Sequence, residues 1–112
     1  MNALAGHCHC GRVTVSLTTR PTELVECNCS ICRRIAGLWH YCAPEEAAVA
    51  GPLQGYVQGD RTLTTWRCAQ CGCTTHWTAI DTTYRRMGIN LRMFDPAVWE
   101  ALPRRKVDAA SY

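Results

Sequence analysis

The chain has 112 residues, of which 47% are hydrophobic and 19% charged, a balance that excludes intrinsic disorder and suits one small domain over residues 1–112. Its formal charge of +3 comes from 12 basic residues, all arginine except Lys106, against 9 acidic ones. These charges are scattered in ones and twos rather than gathered among aromatic residues, so a nucleic-acid partner is not expected.

Nine cysteines pose the main question, because many thiols mean either disulfides in an oxidising compartment or metal ligation in a reducing one. The opening stretch "MNALAGHCHC" has no basic start followed by an apolar run, so no secretory signal is expected. No segment approaches the roughly 18 apolar residues of a membrane span. An odd thiol count, with pairs as close as Cys8 and Cys10 or Cys27 and Cys29, also argues against a disulfide framework. The expectation is a cytoplasmic protein without a membrane anchor, its thiols mostly reduced and several of them on metal.

In chain order, "CHCG" at 8–11 is the first thiol cluster, and "RVTVSL" follows with Val13, Val15 and Leu17 repeating every two residues, the pattern of a half-buried strand. "CNCSICRR" at 27–34 is the second cluster. Ser30 there reads as the N-cap of a helical turn through Ile31 to Ala36, ended by Gly37. "GLWHYCA" reads as a strand, and "PEEAAVAG" as a turn of helix or a loop. "GYVQ", "TLTTWRC", "THWTAI" and "MGINLRMF" read as further strands, with the third cluster, "CAQCGC" at 68–73, between the second and third of these. Asp95 followed by Pro96 is a helix-start signature opening "PAVWEAL", and Arg104, Arg105 and Lys106 read as a solvated segment. The elements add up to a mainly β fold with short helical turns.

A structural zinc site wants four thiolate or imidazole ligands, commonly two close pairs from distant parts of a chain. Cys10 and Cys71 are each followed by glycine, the residue that lets a backbone turn tightly around a metal. Pairing Cys8 and Cys10 with Cys68 and Cys71 therefore closes one site. Cys27, Cys29 and Cys32 are left as three ligands without an obvious fourth, the pattern of a catalytic zinc with an open place. The helix start at Ser30, with Arg33 and Arg34 adjacent, would favour thiolate there. Cys42 or Cys73 would close the trio if either came near; otherwise both are small core residues. His7, His9, His40 and His76 are weaker ligand candidates, and the four tryptophans fit a core better than a substrate platform. The short segment between Cys32 and Cys68 offers little material for a dedicated pocket.

Taken together, "GHCHCG", "CNCSICRRIAG", "WRCAQCG" and "GINLRMFD" resemble the glutathione-dependent formaldehyde-activating family, which includes centromere protein V. The resemblance implies a β-tent of small antiparallel sheets stapled by two zinc ions per chain. The structural ion falls on Cys8, Cys10, Cys68 and Cys71, and the second on Cys27, Cys29 and Cys32. It also implies a carbon–sulfur lyase acting on a thiol adduct, such as that of glutathione, of a small aldehyde, with Arg33 and Arg34 placed to attract the thiol's carboxylates. The alternative is a non-catalytic zinc module presenting a protein or nucleic-acid surface, for which Arg85, Arg86, Arg92 and Arg104 would form the basic patch.

Overall fold

The computed structural model describes residues 4–109. Strand β1 covers Leu4–His7, β2 Thr14–Leu17, β3 Leu24–Cys27, β4 Trp39–Cys42 and β5 Ala47–Ala50. Strand β6 covers Leu53–Val57, β7 Leu63–Cys68, β8 Thr74–Ala79, β9 Met87–Asn90 and β10 Arg104–Val107. Two four-residue helices, α1 (Cys32–Ile35) and α2 (Pro96–Trp99), complete a mainly β protein. Among the described residues no helix is long and apolar enough to cross a membrane.

The alternation in "RVTVSL" does what it predicts: Val13, Val15 and Leu17 are buried while Thr14 faces out. β2 lies between β1 and β5 in a three-stranded antiparallel sheet. Pairing with β2 explains why "PEEAAVAG" is a 3-10 turn at Pro44–Glu46 followed by a strand, rather than a helix or loop. Four residues carry little intrinsic helix preference, and the open edge of β2 supplies ready hydrogen-bond partners. Glu46 closes the turn by accepting from the Ala43 N–H at 2.8 Å.

The second sheet has seven strands in the order β10-β3-β4-β9-β8-β7-β6. Its pairs are antiparallel except β10 with β3, which run parallel across nearly the whole chain. The segment Arg104–Val107, read from sequence as solvated, is thus an edge strand. Its basic side chains are exposed, and Arg104 and Arg105 pair with Glu26 and Glu23 of and beside β3. Charges on an edge strand discourage further pairing.

The two faces of this sheet do different work. One face packs with the three-stranded sheet around Val15, Leu17, Leu24, Leu38, Ile89, Leu91 and Phe94. The other carries Val25, Trp39 and Trp77 with partly buried Tyr41 and Leu63. Trp39 and Tyr41 are two residues apart in β4, so pleating sends both to the same side. Strand "MGINLRMF" stops at Asn90, whose buried side chain accepts from the Leu38 and Arg92 N–H groups and donates to the Thr74 carbonyl, starting a 3-10 turn at Leu91–Met93. Asp95 caps α2 as its sequence predicts, accepting from the Ala97 N–H at 2.9 Å.

Candidate metal centres

Cys8 and Cys10 follow β1, Cys68 ends β7, and Cys71 lies in the turn into β8. Their four sulfurs all lie within 4.8 Å of one another. The Cys8–Cys10 and Cys10–Cys68 sulfur separations are 3.6 Å. That is far too long for a disulfide, at about 2.0 Å, and close to the edge of about 3.8 Å of a tetrahedron built on metal–sulfur bonds of about 2.3 Å.

The two turns mirror each other. Cys8 N–H donates to Val13 O and Gly11 N–H to Cys8 O; Cys68 N–H donates to Cys73 O and Gly72 N–H to Cys68 O. Both glycines sit at φ +82°, a conformation that side chains disfavour. So wound, the backbone points N–H groups at sulfur: Val13 at Cys8 (3.3 Å), Gln70 and Cys71 at Cys68 (3.3 and 3.4 Å). The N–H groups of Cys73 and Cys10 hold the Cys71 thiol down at about 5. Cys10 is lowered chiefly by the N–H of Arg12, while Cys68, against the pull of the Cys71 N–H, is raised by burial and by the Cys10 and Cys8 thiols. Cys8 and Cys68 are sealed from solvent at 0% and 1% exposure. The donor set, spacing and N–H array all fit a closed tetrahedral thiolate site.

Cys27 ends β3, Cys29 lies in the following loop and Cys32 begins α1, and their sulfurs also lie within 4.8 Å of one another. Ser30 does not cap the helix; its side chain makes no capping bond, and its carbonyl instead accepts from Arg34 Nη1 at 2.7 Å. The capping place is taken by sulfur, since the Cys32 N–H donates to Cys29 Sγ at 3.4 Å. The helix ends at Ala36 in the left-handed region, not at Gly37. Gly37 answers a different need: a Cβ there would stand 2.5 Å from the Trp39 ring.

The loop between Cys27 and Cys29 is braced by β10 and the two residues that follow it. Asn28 N–H donates to Val107 O at 3.2 Å, Asn28 Nδ2 donates to Asp108 Oδ1 at 3.0 Å, and the Ala109 N–H donates to Asn28 Oδ1 at 2.6 Å. Burial pushes the Cys27 and Cys32 thiols up, most strongly at the more deeply set Cys32, and Cys29 adds to the rise of both. Cys29, although burial opposes it, is lowered by hydrogen bonds from Cys32.

Among the described residues no fourth Cys, His, Asp or Glu joins the trio. Cys42 is buried in the main core, its thiol pushed up to about 11 by burial, and Cys73 packs against the quartet. No histidine joins either cluster. Two cysteine clusters that can each hold a metal ion are therefore present, one closed and one with three ligands.

The trio opens on a cavity of about 680 Å³. Cys27, Cys29 and Cys32 line it together with Trp39, Tyr41, Trp77, Tyr84 and Leu63, while Gln58, Asp60 and Arg61 come from the β6–β7 turn. The walls come from the Cys32–Cys68 segment together with β8 and residues 80–84, so the cavity does not depend on that short segment alone. A glycine shapes the floor. Gly88 of β9 lies directly between Tyr41 and Trp77 in register, and a Cβ there would meet Trp77 Nε1 at 2.0 Å. Its bare backbone lets the Trp77 ring cross the strand and meet Tyr41 edge to face, centroids 5.7 Å apart. None of Cys8, Cys10, Cys68 and Cys71 lines this cavity.

Arg33 lines a second cleft of about 550 Å³ with Arg92, Arg104 and Lys106, on which Cys27 and Cys32 also border. Arg34 lines neither cavity. Arg61, missed in the sequence because it sits in an unremarkable turn, is the cation at the larger cavity's wall. Among the described residues it has no carboxylate partner. The four arginines of the suggested basic patch are engaged within the chain: Arg85 with Glu45, Arg104 with Glu26, Arg86 over Tyr41, and Arg92 over Trp99.

A mainly β scaffold that sets a thiol quartet apart from a thiol trio on a cavity wall defines a protein with two clusters that can each hold a metal ion, one of them beside a cavity. The chain belongs to the glutathione-dependent formaldehyde-activating enzyme family, whose model matches residues 3–107. It is also similar to a crystal structure of a Rhodobacter sphaeroides protein, a structural-genomics target, at 26% identity and a TM-score of 0.73, covering 91% of this chain and all of that one. No functionally curated protein matches it.

Proposed function

We propose that the chain is a zinc-dependent carbon–sulfur lyase of this family that works on the thiol adduct of an aldehyde, with glutathione the thiol suggested by the family's name. The observation that carries the reading is the contrast between a complete quartet that does not line the cavity and a trio that faces it with no fourth ligand among the described residues. On this reading Cys8, Cys10, Cys68 and Cys71 hold a structural zinc, and Cys27, Cys29 and Cys32 hold a second. When bound by the trio, zinc supplies Lewis acidity, which favours a thiolate and polarises an aldehyde oxygen.

The chain's own groups do the rest. In the adduct, the carbon–sulfur bond breaks as the hydroxyl becomes a carbonyl; the hydroxyl proton leaves and the sulfur departs as thiolate or thiol. The Cys32 N–H steadies Cys29 as an anion, and the aromatic walls flank the trio on its cavity side. Burial keeps the Tyr41 phenol protonated, its pKa pushed up to about 12, so that the wall beside the trio offers an O–H donor. Arg61 at the cavity and Arg33 at the second cleft are the cations suited to the carboxylates of the thiol.

The test is metal content and turnover measured on one preparation. Two zinc ions per chain, with aldehyde released from a glutathione adduct, is the expected result. A single ion confined to the quartet, with no release, overturns the reading.

A further inference from the structure

The family's name reaction concerns a one-carbon aldehyde, yet the cavity at the trio is far larger than such a group requires. A volume of about 680 Å³ lies within the range of about 300–1,000 Å³ that holds drug-sized ligands. The thiol's carboxylates fall to Arg61 at its wall, and a one-carbon group would give the aromatic walls no apolar partner.

Those walls have a definite chemistry. Trp39, Tyr41, Trp77 and Tyr84 surround the space, with Leu63 and Ile80. Of the large hydrophobic residues left exposed, Ile80 at 46% and Tyr84 at 49% stand at this cavity. Tyr41 and Trp77 are already fixed edge to face over Gly88, and Arg86 covers the Tyr41 ring at 5.4 Å. Rings held in this way present flat apolar surface at little ordering cost.

One polar atom completes the description. The side-chain carbonyl of Gln58, in the β6–β7 turn, is buried at this cavity with no hydrogen-bond partner. A buried acceptor left unmade is costly, so a ligand that donates to it gains. The indole N–H of Trp39 is turned instead to Gly37 and the Cys32 thiol, which leaves the ring's carbon face to the cavity. A donor is therefore wanted at one point of an otherwise apolar space.

We infer that the cavity selects thiol adducts of aromatic aldehydes bearing a ring hydroxyl over the adduct of formaldehyde. This rests on the lyase reading and deepens it. The aromatic ring lies between the tryptophan and tyrosine walls. The adduct hydroxyl is at the trio end, and the ring hydroxyl donates to Gln58. The chemistry is unchanged: the carbon–sulfur bond breaks, the adduct hydroxyl loses its proton as the carbonyl forms, and the thiol leaves with a proton.

The test compares the zinc-loaded protein on the glutathione adducts of hydroxybenzaldehyde and of formaldehyde, followed by release of free aldehyde. The aromatic adduct should have a kcat/KM higher by at least about tenfold, and Ala79→Trp, which fills the cavity from β8, should shrink that ratio. Equal or better turnover of the formaldehyde adduct overturns the inference and leaves the lyase reading standing. If neither adduct is turned over, the lyase reading fails, and binding decides the inference separately. The unreactive S-(hydroxybenzyl) thioether of glutathione should quench tryptophan fluorescence at concentrations at least about tenfold lower than the S-methyl thioether. Equal affinity for the two thioethers overturns the inference on that arm.

Discussion

The two thiol clusters are made of the same residue type at nearly the same spacing, yet their surroundings differ in almost every respect. In the quartet, two matched turns with glycines at φ +82° wrap backbone around sulfur and seal Cys8 and Cys68. In the trio, one sulfur caps a short helix, another ends a strand, and all three face a cavity. The Cys71 thiol is held down at about 5 by backbone N–H groups, whereas burial pushes Cys32 strongly upward. Within each cluster one thiol is lowered and another raised, Cys71 against Cys68 in the quartet and Cys29 against Cys32 in the trio. The difference lies in the backbone, not in the cysteines.

The largest effect should come from setting the two clusters against each other. Cys71→Ser should abolish cooperative unfolding, because a structural zinc site contributes on the order of 10 kcal/mol in a domain whose net stability is about that size. Cys29→Ser should keep the far-UV spectrum and most of the melting temperature while ending turnover. Equal unfolding of the two variants, seen by circular dichroism, would erase the distinction. Chelation sharpens it further: a graded chelator should strip the trio's ion first, with turnover lost before the spectrum changes.

Strand β8 runs from the quartet's turn to the cavity, and pH acts on its centre. Burial pushes His76 down to about 4 from its usual 6.5. The fold therefore favours the neutral ring, and this contribution is complete above about pH 6.5 and lost as pH falls through 4, on the order of 3 kcal/mol. Urea unfolding of wild type and His76→Gln should converge as pH falls across that window. A constant gap between the two would refute the assignment.

Smaller changes should touch the trio alone. Gly88→Ala brings a methyl against the Trp77 ring and should cost about 1–3 kcal/mol. It should also weaken thioether binding while leaving the quartet's ion in place. Asn28→Ala removes two side-chain hydrogen bonds to the 108–109 segment, about 1–2 kcal/mol in all. Its mark should be faster amide exchange in β10 and near Cys27, with no change at Cys8 or Cys68.

Thiol spacing made both clusters visible in the sequence because ligands in one turn must be close in the chain, and glycine after Cys10 and Cys71 marks the tight backbone. The alternation of Val13, Val15 and Leu17, and the Asp95–Pro96 cap, were equally plain. β3 and β10 were not, because a parallel pair between residues 24–27 and 104–107 leaves no local signal in four-residue strands. Ser30 misled for a related reason: a hydroxyl is the usual capping group, but a sulfur already drawn into a cluster takes the same N–H. The cavity was hidden because β4, the β6–β7 turn, β8 and residues 80–84 each supply one or two walls. Its clearest trace was Gly88, whose reason becomes apparent only when Tyr41 and Trp77 flank it.

The strap laid over Asn28 sets a timetable for biogenesis. Cys8, Cys10, Cys68 and Cys71 can gather as soon as the hairpin holding the last two leaves the ribosome. The cysteine trio, though complete by residue 32, lacks its parallel brace until residues 104–109 emerge. Assembly should then proceed in two stages, the quartet closing first and the trio gaining its brace only once residues 104–109 have followed.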